Sequence, residues 1–131
     1  MLPLQGHVGK IITSDFHKNG YHLVTGGNDN ILRFYDLRKK STFKVLPAHN
    51  KLISHVEFSK IDGYSFLSSS YDTTCKIWSI KDWKIVKTLY HPNSKLTCVS
   101  LSPDEKLIST TSLDSKWTIW EQGINAEEFE F

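Results

Sequence analysis

Leu46-Pro47-Ala48-His49, then Ser65-Phe66-Leu67-Ser68-Ser69-Ser70-Tyr71-Asp72, then Lys76-Ile77-Trp78-Ser79: this central stretch decides the fold, because the chain carries its pattern three times. A His recurs at 7, 49 and 91, in steps of 42 residues. An Asp follows at 29, 72 and 114, and an aromatic at Tyr35, Trp78 and Trp120, both in steps of 43 and 42. Four residues before each Asp stands a hydroxyl, at Thr25, Ser68 and Thr110. Three copies of one unit account for nearly the whole chain.

Working outward, each unit holds short β-rich runs divided by turn formers. The runs are 11–16, 21–25, 31–35 and 42–46 in the first unit, and 53–59, 65–69, 74–79 and 85–89 in the second. The third has 96–102, 107–111 and 116–120. Asn19-Gly20 supplies the positive φ of a tight reversal, and Gly26-Gly27-Asn28-Asp29-Asn30 reads as the next turn. Apolar residues recur at spacings of two, and turn formers arrive too often for a helix. Four strands of about five residues per ~42-residue period is the signature of a propeller blade, not of a helical solenoid.

The expected fold class is therefore all-β: three four-stranded antiparallel blades over residues 4–45, 46–88 and 89–121. The last is expected to be incomplete, its fourth strand missing or supplied from elsewhere, because the acidic tail 122–131 lacks β-rich composition. Only the two Phe of that tail argue that it docks. Three blades cannot close a ring, since propellers need about four to eight, so the chain reads as a fragment of a larger propeller. Its exposed flanks predict an isolated chain that is marginally stable or self-associating.

Bulk properties narrow the function classes. With 131 residues, 39% hydrophobic content and 12% aromatic residues, the chain can build a real core. A formal charge of +2 gives no marked basic footprint for nucleic acid. Cys75 and Cys98 show no metal-ligand spacing and read as small buried thiols of a reducing compartment. No apolar run approaches the roughly 20 residues of a membrane span. The start, Met1-Leu2-Pro3-Leu4-Gln5, has no charged n-region and no long apolar segment, so no leader is expected.

The pairs Gly6-His7 with Tyr35-Asp36, Ala48-His49 with Trp78-Ser79, and Tyr90-His91 with Trp120-Glu121 carry a resemblance to WD40-repeat β-propellers. It covers residues 4–121. The resemblance implies three structural tetrads: His7, Thr25, Asp29 and Tyr35; His49, Ser68, Asp72 and Trp78; His91, Thr110, Asp114 and Trp120. In an up-and-down blade the His, before the first strand, and the Asp, after the second, lie at the same end. The carboxylate can accept from the imidazole, whose other nitrogen meets the hydroxyl, and the indole N–H completes the chain. Tyr35 departs from the Trp of the pattern, which puts the first tetrad's last bond in doubt. Ser, His and Asp also make a hydrolase triad. Three copies of one set, with Thr in two of them and no Gly-x-Ser-x-Gly turn, favour structure over catalysis. No metal is expected on three His of three different blades, and no cofactor is called for.

Particular words narrow the resemblance: Asn19-Gly20-Tyr21-His22-Leu23-Val24-Thr25-Gly26, Asp36-Leu37-Arg38, Pro47-Ala48-His49, Ser70-Tyr71-Asp72-Thr73-Thr74 and Trp83 before Lys87-Thr88-Leu89. They are similar to the C-terminal repeats of the WD40 splicing-factor subunits of the U4/U6 small nuclear ribonucleoprotein. That implies a nuclear, non-catalytic scaffold of the spliceosome, bound to other spliceosomal snRNP proteins and near U4/U6 snRNA, with no membrane and no small-molecule substrate. An unrelated WD40 adaptor, of a ubiquitin-ligase or chromatin complex, is the alternative. Candidate partner contacts are Lys10, Lys51 and Lys95, soon after each tetrad His, and Asn28, Tyr71 and Leu113, just before each tetrad Asp. Trp83, in the turn between third and fourth strands, is a further candidate. The run Arg38-Lys39-Lys40 lies at the opposite end and reads as a solubilising turn.

Overall fold

The computed structural model describes residues 4–121 and the backbone of the strand Ala126–Glu130. The start at 1–3 and the side chains of the tail's two Phe, on which its docking was expected to rest, lie outside the described residues. The described residues form twelve strands in three antiparallel sheets of four, each strand pairing with its sequence neighbour. Blade 1 holds β1 (Ile11–Phe16), β2 (His22–Gly27), β3 (Ile31–Asp36) and β4 (Ser41–Pro47). Blade 2 holds β5 (Ile53–Phe58), β6 (Ser65–Ser70), β7 (Thr74–Ser79) and β8 (Ile85–Tyr90). Blade 3 holds β9 (Leu96–Leu101), β10 (Leu107–Ser112), β11 (Lys116–Glu121) and β12 (Ala126–Glu130).

Two of these elements differ from the sequence expectation. Blade 3 is not short of a fourth strand: β12 pairs with β11 from Lys116↔Glu130 to Trp120↔Ala126. Pairing is a backbone matter, and the edge position tolerates the acidic residues that lowered the strand's propensity. Gly26 and Gly27 lie in β2 rather than in the following turn. A Cβ on Gly27 would sit 2.1 Å from the Lys10 carbonyl oxygen, so glycine answers to a close approach of two backbones. The turn proper centres on the tetrad Asp and the residue after it. Asn30, Thr73 and Ser115, one per unit, all have positive φ, between 67° and 74°.

Blade 2 lies between its neighbours, and its burial shows it. In β6, every residue from Phe66 to Ser70 is buried, whereas β1 buries only Thr13. Side chains alternate between faces along a strand. Phe66 accordingly joins a core with Val24, Leu32, Phe34, Ile53, Phe58 and Trp78 between blades 1 and 2. Leu67 joins Cys75, Leu89, Leu96, Val99 and Ile108 between blades 2 and 3. Each fully buried apolar side chain contributes about 1.5–3 kcal/mol, so these two layers dominate the stability.

Hydrogen bonds between blades recur with the same period. Asp15 accepts from the Phe58 amide at 2.8 Å, and Glu57 from the Leu101 amide at 2.8 Å. Thr13 Oγ1 accepts from the Val56 amide at 3.2 Å. At the lower edge, the Glu105 carboxylate accepts from Ser59 Oγ at 2.6 Å and the Lys60 amide at 2.9 Å, latching blade 3 to blade 2. Glu105→Ala is expected to cost about 1–2 kcal/mol, the scale of charge-assisted bonds at a partly exposed site. The midpoint of urea unfolding measures it, and an unchanged midpoint would rule the latch out.

Candidate functional site

The three His loops and three Asp turns lie at one end of the blades, and the geometry there differs from blade to blade. In blade 2 the brace is complete. His49 Nδ1–H donates to Asp72 Oδ2 at 2.9 Å, which leaves Nε2 to accept from Ser68 O–H at 2.7 Å. Trp78 Nε1–H donates to Ser68 Oγ at 3.0 Å. Thr74, unforeseen in the sequence, donates its hydroxyl to Asp72 Oδ1 at 2.5 Å. Burial opposes ionisation of Asp72, but the His49 and Thr74 bonds outweigh it and hold the carboxyl far below the ordinary range. Trp78 stacks on Phe66, with ring planes 5° apart, tying the polar chain to the core.

Blade 1 has three members of its brace. His7 is 2.7 Å from Asp29 through Nδ1 and 2.5 Å from Thr25 through Nε2. Tyr35 is buried at 2% exposure and makes no hydrogen bond to Thr25 among the described residues. Burial raises the Asp29 pKa, yet the His7 bond and charge and the amides of Ile31 and Val8 bring it below its ordinary value.

Blade 3 departs from the expected set. His91 Nε2 pairs with Thr118 Oγ1 at 3.2 Å rather than with Thr110, and its buried Nδ1 has no partner among the described residues. Trp120 Nε1–H still donates to Thr110 Oγ1 at 3.0 Å. Asp114 turns outward to the Ser112 hydroxyl and the Lys116 amide, and the Ser112 bond is the leading cause of its lowered pKa. The reason lies two residues before the aromatic, where the units carry Arg33, Lys76 and Thr118. Lys76 Nζ reaches the Ala48 carbonyl at 2.7 Å, and the Arg33 guanidinium lies against Gly6. In those blades a long cation fills the space beside the His. Thr118, shorter than either cation, instead meets the His91 imidazole through its hydroxyl.

The candidate lysines share this end. The carbonyls of Lys10 and Lys95 accept from the amides of Asn28, at 2.9 Å, and Leu113, at 3.0 Å. The Lys51 carbonyl accepts from Ser70 Oγ at 3.2 Å. All three lysines are exposed, as are Asn28 and Leu113, and Lys95 Nζ lies 5.2 Å over the half-buried Tyr71 ring. Trp83 does not join them. Its half-buried ring packs across the blade boundary at the opposite end, 4.9 Å from Phe34 and edge-on, with Phe43 and Phe66 nearby. Lys44 Nζ lies over the ring, 5.4 Å from its centroid. Among the described residues no group of three His, Cys, Asp or Glu is placed to hold a metal. Cys75 is buried, Cys98 is half-buried, and burial pushes both thiols up.

The recurrence of three braced sheets can be set beside known proteins. A family model described as WD domain, G-beta repeat, matches residues 2–36, 40–79 and 83–121. The chain belongs to the WD40-repeat family. Among its similar proteins is the guanine nucleotide-binding protein subunit beta of Arabidopsis thaliana, 30% identical over 90% of this chain and 33% of the relative. Pre-mRNA-processing factor 19 of Oryza sativa subsp. japonica is 30% identical over 88% of this chain and 23% of its own length. Pre-mRNA-processing factor 17 of Saccharomyces cerevisiae is 37% identical over 66% of this chain and 19% of its own. The chain spans a third or less of the first of these WD40 relatives, and about a fifth of the last two.

Proposed function

We propose that this WD40 chain is part of a non-catalytic scaffold in a nuclear pre-mRNA splicing particle, of the U4/U6 small nuclear ribonucleoprotein type. It contacts a protein partner through the end that carries the His loops. One observation carries the binding surface. Two of the carboxylates there, Asp29 and Asp72, are turned inward onto His7 and His49, while Lys10, Lys51 and Lys95 stand exposed on adjacent blades. Local positive charge is thereby left facing out on a chain of nearly balanced composition. The similarity to pre-mRNA-processing factors 17 and 19 supports the splicing reading, as do the sequence words around Tyr71 and Trp83. Catalysis finds no support, because Ser68 is 0% exposed and a substrate cannot reach it.

The similarity to a G-protein β subunit over most of the chain favours a second reading, an adaptor outside splicing. Affinity purification of the tagged chain from nuclear extract separates the two. U4 and U6 RNA should be recovered well above an untagged control, and recovery at the control level would sink the splicing assignment. Reversing Lys51 and Lys95 to Glu should release the protein partner without altering the melting curve.

A further inference from the structure

We propose that Ser41 is a phosphorylation site for a basophilic serine/threonine protein kinase, presented by the turn between β3 and β4. The run Arg38-Lys39-Lys40-Ser41 places three cations at the positions immediately before a hydroxyl. The fold displays it: residues 38–41 are all exposed, and 37–40 form a four-residue loop between the paired residues Asp36 and Ser41. Lys40 has φ of +52°, which turns the chain sharply just before Ser41. The Arg38 side chain is 60% exposed although it bonds Asp36 at 3.2 Å and covers the Tyr21 ring at 3.6 Å. Neither the ammonium groups of Lys39 and Lys40 nor the Ser41 hydroxyl has a partner among the described residues. Ser41 opens β4, the outermost strand of its sheet, so only its first pairing must loosen for a kinase to take the segment.

Other hydroxyls do not combine these features. Ser54 and Ser109 each follow a Lys by three residues, but Ser54 donates to the Leu96 carbonyl at 2.7 Å between blades, and Ser109 lies inside β10. Ser79 follows Lys76, whose amine is held on the Ala48 carbonyl. In blade 2 the equivalent turn carries Trp83, which anchors it in the core.

The step uses ATP. Ser41 Oγ attacks the γ-phosphorus, the bond from that phosphorus to the β,γ-bridging oxygen breaks, ADP leaves, and the hydroxyl proton passes to the kinase's own base. Carboxylates in the kinase groove would hold the three cations by charge-assisted bonds. The product sets a phosphate of about −2 charge opposite Asp36, with Arg38 between them. The two anions then compete for one guanidinium, which couples the modification to the turn's own ion pair.

The test incubates the intact chain with a purified kinase of basic-residue preference and ATP, followed by site mapping through mass spectrometry. One phosphoryl group on Ser41 is expected, absent in Ser41→Ala. The rate should fall roughly tenfold in Arg38→Ala, the loss of one charge-assisted contact in the groove. The melting curve of Ser41→Ala should match the parent, whereas Arg38→Ala should melt lower, because it leaves the buried Asp36 without its guanidinium and uncovers Tyr21, so its phosphorylation rate is read well below its melting point. Labelling of another hydroxyl, or a rate indifferent to Arg38, would overturn the proposal. So would failure of the folded chain to take up phosphate, including the case in which a free peptide of residues 36–44 is labelled and the chain is not.

Discussion

Trp83→Ala should destabilise the chain by about 3 kcal/mol, the lower end of what truncating a core aromatic costs, because the ring is half-buried rather than enclosed. The indole walls one side of a small cavity at the lower boundary of blades 1 and 2, which His17, His22, Phe34, Phe43, Phe58 and Ile80 also line. Removing the indole takes one edge-on contact from Phe34, takes the one that Phe43 makes, and leaves Lys44 without the ring it lies over. Trp83→Phe should recover more than half of the loss, since a smaller ring still reaches Phe34. Urea unfolding measures both. A cost below about 0.5 kcal/mol, the size of an ordinary surface change, would return Trp83 to the list of partner contacts.

Ser68→Ala is expected to cost about 2–3 kcal/mol, because the imidazole Nε2 of His49 and the indole N–H of Trp78 both lose their buried partner. A hydrolase reading expects the opposite, lost activity with stability intact. The brace also carries a pH dependence. Asp72 has a lower pKa folded than unfolded, so its contribution is complete above the unfolded value and is lost as pH falls through the folded one. Asp72→Asn should therefore flatten the acid limb of the stability profile, leaving the part supplied by the other carboxyls with lowered pKa, Asp29 and Asp36 among them. An acid limb identical to the parent's would show that Asp72 is not held by His49 in solution.

Most of the fold was legible because the repeat fixes strand positions independently of local propensity. The runs 11–16 and 74–79 coincide with β1 and β7, and the others differ from their strands by a residue or two at an end. What escaped were features set by contacts between units. The strand Ala126–Glu130 forms on an edge against backbone already in place, and its acidic composition carries no sign of it. The brace of blade 3 depends on Thr118, a position outside the tetrad, whose difference from Arg33 and Lys76 matters only once the His beside it is placed. Trp83 stood out as an unusual residue, but whether it met a partner or a neighbouring blade was a question of packing. The recurrence of Asp15 and Glu57 at 42 residues was visible in the sequence and could have pointed to the bonds between blades.

Those bonds give the three sheets a direction. At this register the earlier sheet supplies the carboxylate and the later sheet the amide, from Asp15 to Phe58 and from Glu57 to Leu101, while the Glu105 latch at the lower edge runs the other way. The next carboxylate position is held by Ser100, and the amide at the other flank belongs to Phe16. The two flanks are thus unlike, as the two ends of a polar filament are unlike. Ser100 at that register offers a neutral hydroxyl where Asp15 and Glu57 offer a charged acceptor, so a charge-assisted bond of the kind made at the two internal boundaries has no counterpart there.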